Sequence, residues 1–239
     1  QQVCGWFFEV VDHFQYDRDV AALAVYYLDQ CTAIKTKTKG PGVTVTRHEY
    51  QLISLTSLYL AIKLYGRLDH SLRPSIQSFV NLSNGKFSIE DIEHKEIEML
   101  QLLNWHVNPS SALRIGISLI NFIPEDWEGE GISARNHIKV IFEVSRYLSE
   151  LSLHSAEISL KYKASEIAFA SVLCAMNILK RRIILPDWVK AEFIRNVSEV
   201  TNLLTSNSVP TICKSLQYLF QSAPSKFGIE HQFILSGKE

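Results

Sequence analysis

Apolar residues recur along nearly the whole chain at the three- and four-residue spacing of helices, and strand-like alternation appears only in the short VTVT stretch at 43–46, inside a loop. The pattern predicts an all-α fold. The first helix is expected over Val3–Phe14. Asp17 is placed to cap a second through DRDVAALAVYYLDQC, and a basic Gly/Pro loop, IKTKTKGPGV, follows from Ile34. Thr46 and Glu49 have the spacing of a capping box and open a third helix that runs to about Leu64. In that helix, QLISLTSLYLAIKL, apolar residues go all round the axis with small Ser54, Ser57 and Ala61 between them, so it should be surrounded by other helices. Pro74 suits the first turn of a short helix ended by Asn84-Gly85, and Ser88 with Asp91 opens a fifth, IEDIEHKEIEMLQLLNW.

Asn108-Pro109 is the next break, because a residue before proline avoids helical geometry. The same kind of pattern then returns: SALRIGISLINFI, an acidic turn PEDWEGEG, ISARNHIKVIFEVSRYLSEL, a second all-round apolar helix ASEIAFASVLCAMNILKR, and helices around LPDWVKAEFIRNV and PTICKSLQYLF. The expected organisation is therefore two tandem five-helix bundles, residues 1–108 and 109–222, each built around a buried central helix. A tail without sustained period is expected at 223–239.

At 239 residues and 46% hydrophobic content the chain can form substantial cores. Its 24 basic and 25 acidic residues leave a formal charge of -1, so no global field draws nucleic acid or an anionic membrane, and proteins are the expected partners. Cys4, Cys31, Cys174 and Cys213 have no paired spacing and are expected as buried thiols of a reducing compartment. The longest apolar run, IAFASVLCAMNIL, is too short to span a bilayer, and no charged-then-apolar signal opens the chain. The start at Gln1, directly in a helical pattern without an N-cap, points to a trimmed chain. His94 and Glu98 share a helix face with no third ligand, so neither metal nor cofactor is expected. Lys35, Lys37 and Lys39 read as a solvated basic loop, and Glu90, Asp91 and Glu93 as a helix N-terminal face. No phosphate cradle, nucleophile elbow or Cys/His nucleophile arrangement occurs, and no enzyme activity is expected.

Two charges, Lys63 and Glu96, stand inside strongly apolar helices. Around them WFFEVVDHF, VAALAVYYLDQ, QLISLTSLYLAIKL, the stretch from Arg73 to Trp105, and SRYLSELSLHSAEISLKYKASEIAFASVLCA resemble, in order, consecutive helices of a two-box cyclin. Trp6, Glu9, Tyr27-Leu28-Asp29, Ala61-x-Lys63, Glu96 and Leu103-Asn104-Trp105 carry the resemblance in the first box. It implies a regulatory subunit without catalytic groups that binds a cyclin-dependent kinase. Lys63 and Glu96 would hydrogen-bond kinase backbone, and Leu64 and Ile97 beside them would supply apolar contact.

The resemblance also implies a substrate-docking patch for Arg-x-Leu motifs at Val3, Trp6, Glu9 and Gln51, although the first two residues of the usual helix-one motif are missing here. Asp29 would pair with the arginine of that motif in relatives; without it the carboxyl should be strained, raised in pKa or solvated. The loop from Ile34 to Val45 is longer than usual, and Tyr65-Gly66-Arg67 replaces a common acidic pair. The expected role is cell-cycle control in nucleus and cytoplasm. The alternatives are a transcriptional cyclin, or a transcription-factor-like cyclin-box protein on DNA and polymerase machinery. The last needs a basic face on the second repeat, where Lys180-Arg181-Arg182 is the one dense cluster.

Overall fold

The structure, a computed structural model, describes residues 2–38, 45–66, 74–127, 134–180, 185–201 and 207–226. Among them there is no strand, and eleven helices follow one another. None of these helices is long and apolar enough to cross a membrane. Backbone packing divides the chain into two compact units, Gln1–Pro109 and Ser110–Glu239.

The first unit holds α1 (Gln2–His13), α2 (Asp19–Thr38), α3 (Arg47–Tyr65), α4 (Ile76–Leu82) and α5 (Ile89–Leu102). Helix α3 sits in the middle as its all-round apolar pattern requires, packed on α2, α4 and α5, with Ile53, Leu58, Leu60, Ala61 and Ile62 essentially without exposure. Its small polar residues let the neighbours approach; Ser54 Oγ donates to the Tyr50 carbonyl (2.7 Å) and so does not need water. The expected signals act as caps. Asp17 Oδ1 accepts from the Asp19 N–H (2.9 Å), Thr46 from the Glu49 N–H (3.1 Å), and Ser88 and Asp91 form a reciprocal box at α5. Asn84 and Gly85, at φ 54° and 70°, form the left-handed turn that stops α4. Pro74, expected in the first turn of α4, lies before its N-cap Ser75 instead.

The IKTKTK segment is not a loop. Helix α2 continues through it to Thr38, and residues 39–44, which include Lys39 and part of VTVT, lie outside the described residues. Tertiary contact holds the helix: Lys35, 8% exposed, has its ammonium between Glu49 of α3 and Glu98 of α5, while the Thr36 and Thr38 hydroxyls are satisfied by the Thr32 and Ile34 carbonyls. Lys95 completes the cluster on Glu98. Glu49 thereby serves Lys35 rather than closing the capping box, and Glu98 is spent on two lysines rather than pairing with His94.

The end of the first unit is fixed by the Val107 carbonyl, which accepts from Tyr27 of α2 and from Tyr65 of α3, the latter at 3.0 Å. Asn104 and Trp105 before it are both left-handed, at φ 48° and 61°. For a tryptophan that conformation is costly and persists because the surroundings hold it.

The second unit holds α6 (Ala112–Ile120), α7 (Ala134–Leu153), the single turn α8 (Ala156–Ser159), α9 (Ala164–Leu179), α10 (Asp187–Val200) and α11 (Val209–Lys226). Its middle is α9, apolar all round and packed on α6, α7 and α11, with Phe169 against Phe193 of α10 at 5.8 Å. Glu166 accepts from the Lys163 N–H (2.9 Å) and from the Ser208 hydroxyl (2.6 Å), starting α9 and tying it to the approach of α11. Residues 223–226, expected in the tail, belong to α11, which runs on to Lys226. Residues 227–239 lie outside the described residues.

The four thiols are free; Cys4, Cys31 and Cys174 are pushed up to about 12 by burial, which makes them poor nucleophiles. Lys35→Ala should leave Glu49 and Glu98 facing one another without their shared cation. A loss of about 2 kcal/mol of unfolding free energy in urea titration is expected, below the value for a fully buried pair because Glu98 reaches solvent. Unchanged stability would mean that the cluster is a surface ornament.

Candidate functional site

Lys63 lies in the last turn of α3 and Glu96 in the middle of α5, and the packing of these two helices brings them together. Lys63 Nζ donates to both Glu96 oxygens, at 2.8 and 3.0 Å. The pair is lopsided: the Glu96 side chain is 11% exposed, the Lys63 side chain 50%. Burial works against the Lys63 charge, but the hydrogen bond and charge of Glu96, with a further contribution from Tyr59, outweigh it and hold the ammonium above its ordinary value. A buried carboxylate is thus presented to the surface through a half-exposed cation.

Beside the pair the surface is apolar. Leu64 and Ile97, next in sequence to the two charges, are 40% and 54% exposed, the exposed large apolar residues of α3 and α5. Exposed aliphatic side chains around a fixed, partly desolvated ion pair are what a protein interface uses for contact area and register. Gly66 ends α3 next to them with its N–H on the Ile62 carbonyl (2.8 Å); a Cβ there would come within 2.4 Å of that oxygen, which accounts for glycine in Tyr65-Gly66-Arg67.

The second set of candidate residues is brought together in part. Val3 and Trp6 of α1 and Gln51 of α3 line a groove of about 250 Å³. Leu55, Leu82 and Phe87 complete its apolar walls, and Lys86 stands at its edge with its ammonium on the Gln51 side-chain carbonyl. Glu9 does not line the groove; it is exposed on α1, three residues beyond Trp6. Leu82, Lys86 and Phe87 were not legible as groove residues, because only the tertiary packing of the α4–α5 turn against α1 and α3 carries them there.

Burial raises the Asp29 carboxyl from 3.8 to about 6, and burial, followed by the Asp29 charge, raises the half-buried Tyr50 phenol. Glu90 and Asp91, fully exposed at the start of α5, are lowered by hydrogen bonds to backbone and to Ser88, as befits a helix N-terminus. Of the basic cluster on the second repeat, Lys180 pairs with Asp187 at 2.6 Å, while 181–182 lie outside the described residues. Among the described residues no three His, Cys, Asp or Glu side chains are placed to hold a metal.

The chain thus consists of two helical units, the first carrying exposed apolar side chains beside an ion pair. Residues 1–108 match the family description "Cyclin, N-terminal domain" and residues 132–227 "Cyclin, C-terminal domain". The chain belongs to the cyclin family. Among its relatives, the G2/mitotic-specific cyclin cig2 of Schizosaccharomyces pombe is 27% identical over 176 residues, 74% of this chain and 37% of that protein. The G2/mitotic-specific cyclin-A of Patella vulgata is 25% identical over 199 residues, 83% of this chain and 41% of the relative. The chain therefore spans less than half the length of these curated relatives. A chain in the structure of the CAK complex from Chaetomium thermophilum bound to ATP-gamma-S has a similar fold, with a TM-score of 0.56 and 14% identity, over 97% of this chain and 64% of that one.

The Asp29 carboxyl gives a pH test. Its raised value means that the folded chain favours the neutral acid. This preference is fully present below pH 4 and is lost progressively as pH rises through about 6, above which ionisation in the partly buried site weighs in full against folding. Asp29→Asn should therefore be more stable than the parent at pH 8, by about 1 kcal/mol once partial solvent access is allowed for. The advantage should shrink as the pH falls below 6. Thermal unfolding at pH 5 and 8 checks this; an equal difference at both values would show that the carboxyl is not raised.

Proposed function

We propose that this chain is the regulatory subunit of a cyclin-dependent serine/threonine protein kinase and acts in cell-cycle control, in nucleus and cytoplasm, by binding and activating the kinase without a catalytic group of its own. The observation that carries the reading is the Lys63–Glu96 pair with its exposed apolar flank of Leu64 and Ile97. In this reading the first box, residues 1–108, provides the kinase contact, and the second, 109–222, completes the subunit. Leu64 and Ile97 exclude water, and the ion pair sets register through charge-assisted bonds to kinase backbone. Binding energy spent on one conformation of the kinase shifts its population from inactive to active. Relatives named for G2/mitosis support the cell-cycle setting.

The groove between Val3, Trp6 and Gln51 supports a second contact, with Arg-x-Leu segments of substrates or inhibitors. Its apolar walls fit a leucine, and the exposed Glu9 carboxylate, outside the groove on the same helix, would meet the base.

Capture from a panel of purified cyclin-dependent kinase catalytic subunits tests the main reading. Lys63→Glu reverses the half-exposed charge and places it against Glu96; the expected loss is about 2–5 kcal/mol, at least roughly thirtyfold in Kd. Circular dichroism should show the helices retained. A Lys63→Glu chain that binds the same kinase as tightly as the parent would refute the site.

A further inference from the structure

We propose that Tyr59 is a positioning residue of the kinase-facing site: its ring, braced by Phe79 of α4, holds the Lys63 ammonium on the Glu96 carboxylate in the pose that meets the partner. This rests on the reading above, in which the Lys63–Glu96 pair contacts a kinase.

Tyr59 stands one helical turn before Lys63 on α3. A helical side chain leans back over the turn N-terminal to it, so Lys63 is directed across residue 59. The ammonium lies 5.5 Å from the centre of the Tyr59 ring, within range of the attraction between a cation and an aromatic face. The ring is itself fixed. It meets Phe79 edge-on at 5.1 Å and 72°, and Phe79 has no exposure. Lys63 is thus constrained at two points, by a carboxylate on α5 and by an aromatic ring seated on α4.

The second constraint matters because the Lys63 side chain is half exposed. A lysine tethered only at its tip keeps many arrangements of its flexible stem, and a partner must then immobilise it on binding. An aromatic ring under the ammonium removes most of those arrangements beforehand. A leucine at 59 could fill the same space against Phe79 but has no negative π-face to hold a cation. The Tyr59 hydroxyl also interacts with the ammonium by hydrogen bonding, and the phenol, raised by desolvation, stays a neutral acceptor beside the Glu96 carboxylate.

Substitutions that separate ring from bulk test the assignment, using the full chain and whichever kinase catalytic subunit it captures from the panel. Tyr59→Phe keeps the ring and should bind within about twofold of the parent, whereas Tyr59→Leu should weaken binding about three- to tenfold. In a Lys63→Met background the leucine substitution should change nothing further, since the group it positions is gone. In the uncomplexed chain, NMR should show ring-current displacement of the Lys63 Hε resonances, kept in Tyr59→Phe and lost in Tyr59→Leu. The proposal falls if Tyr59→Leu binds like the parent, if it weakens binding equally with and without Lys63, or if the Lys63 Hε resonances ignore residue 59. If Lys63→Met itself binds like the parent, or no kinase in the panel is captured, the site reading falls and takes the kinase-facing role with it; the NMR shifts then still decide whether Tyr59 holds Lys63.

Discussion

A helix that is apolar on every side has no stable place at a surface, and α3 imposes that constraint on the first unit. Leaving Ile53, Leu58, Leu60 and Ile62 in water would cost each the full transfer energy of a large aliphatic side chain, about 1.5–3 kcal/mol apiece. The chain therefore wraps α2, α4 and α5 around it. Once α5 is docked, Glu96 has nowhere to go but the last turn of α3, where the helix finally carries a charge. The position of the ion pair is a by-product of burying the helix that bears half of it. The same is true of Tyr59, whose ring can hold Lys63 because α4 must cover that side of α3 with Phe79.

The charges within this bundle divide by their surroundings. Lys35 is enclosed between Glu49 and Glu98 and fastens three helices to one another. Lys63 is paired with the nearly buried Glu96 carboxylate and keeps half of its own side chain exposed. Enclosure makes the first a structural clamp, whereas the second is only partly enclosed. Leu64 and Ile97 complete the contrast, since they are the large apolar residues of α3 and α5 that stand exposed.

How much of this could be read from the residues follows from the range of the signals. Caps at Asp17, Thr46 and Ser88 act over two or three positions and were legible. The family pattern around Lys63 and Glu96 supplied the long-range information that spacing lacks and marked the two charges for one surface, but not their bond to each other. The end of α2 was not legible. Its Lys/Thr alternation resembles a solvated loop, and its helical state depends on carboxylates of α3 and α5 far along the chain. Tyr59 read as one apolar position among many for the same reason: its role depends on Phe79. Glu9 was grouped with the groove by family position, whereas the walls opposite Trp6 come from the α4–α5 turn.

The Val107 carbonyl, shared by two tyrosines, has a bearing on how the first unit comes undone. Its bond to Tyr27 joins residues eighty apart in sequence, and its bond to Tyr65 residues forty-two apart. Such a knot can be tied only after the intervening helices have docked, so it comes late in folding. Tied, it denies the bundle a loose end from which to unravel, and the kinked Asn104-Trp105 segment cannot relax until the whole unit opens. The last residues of the bundle are in this sense its latch.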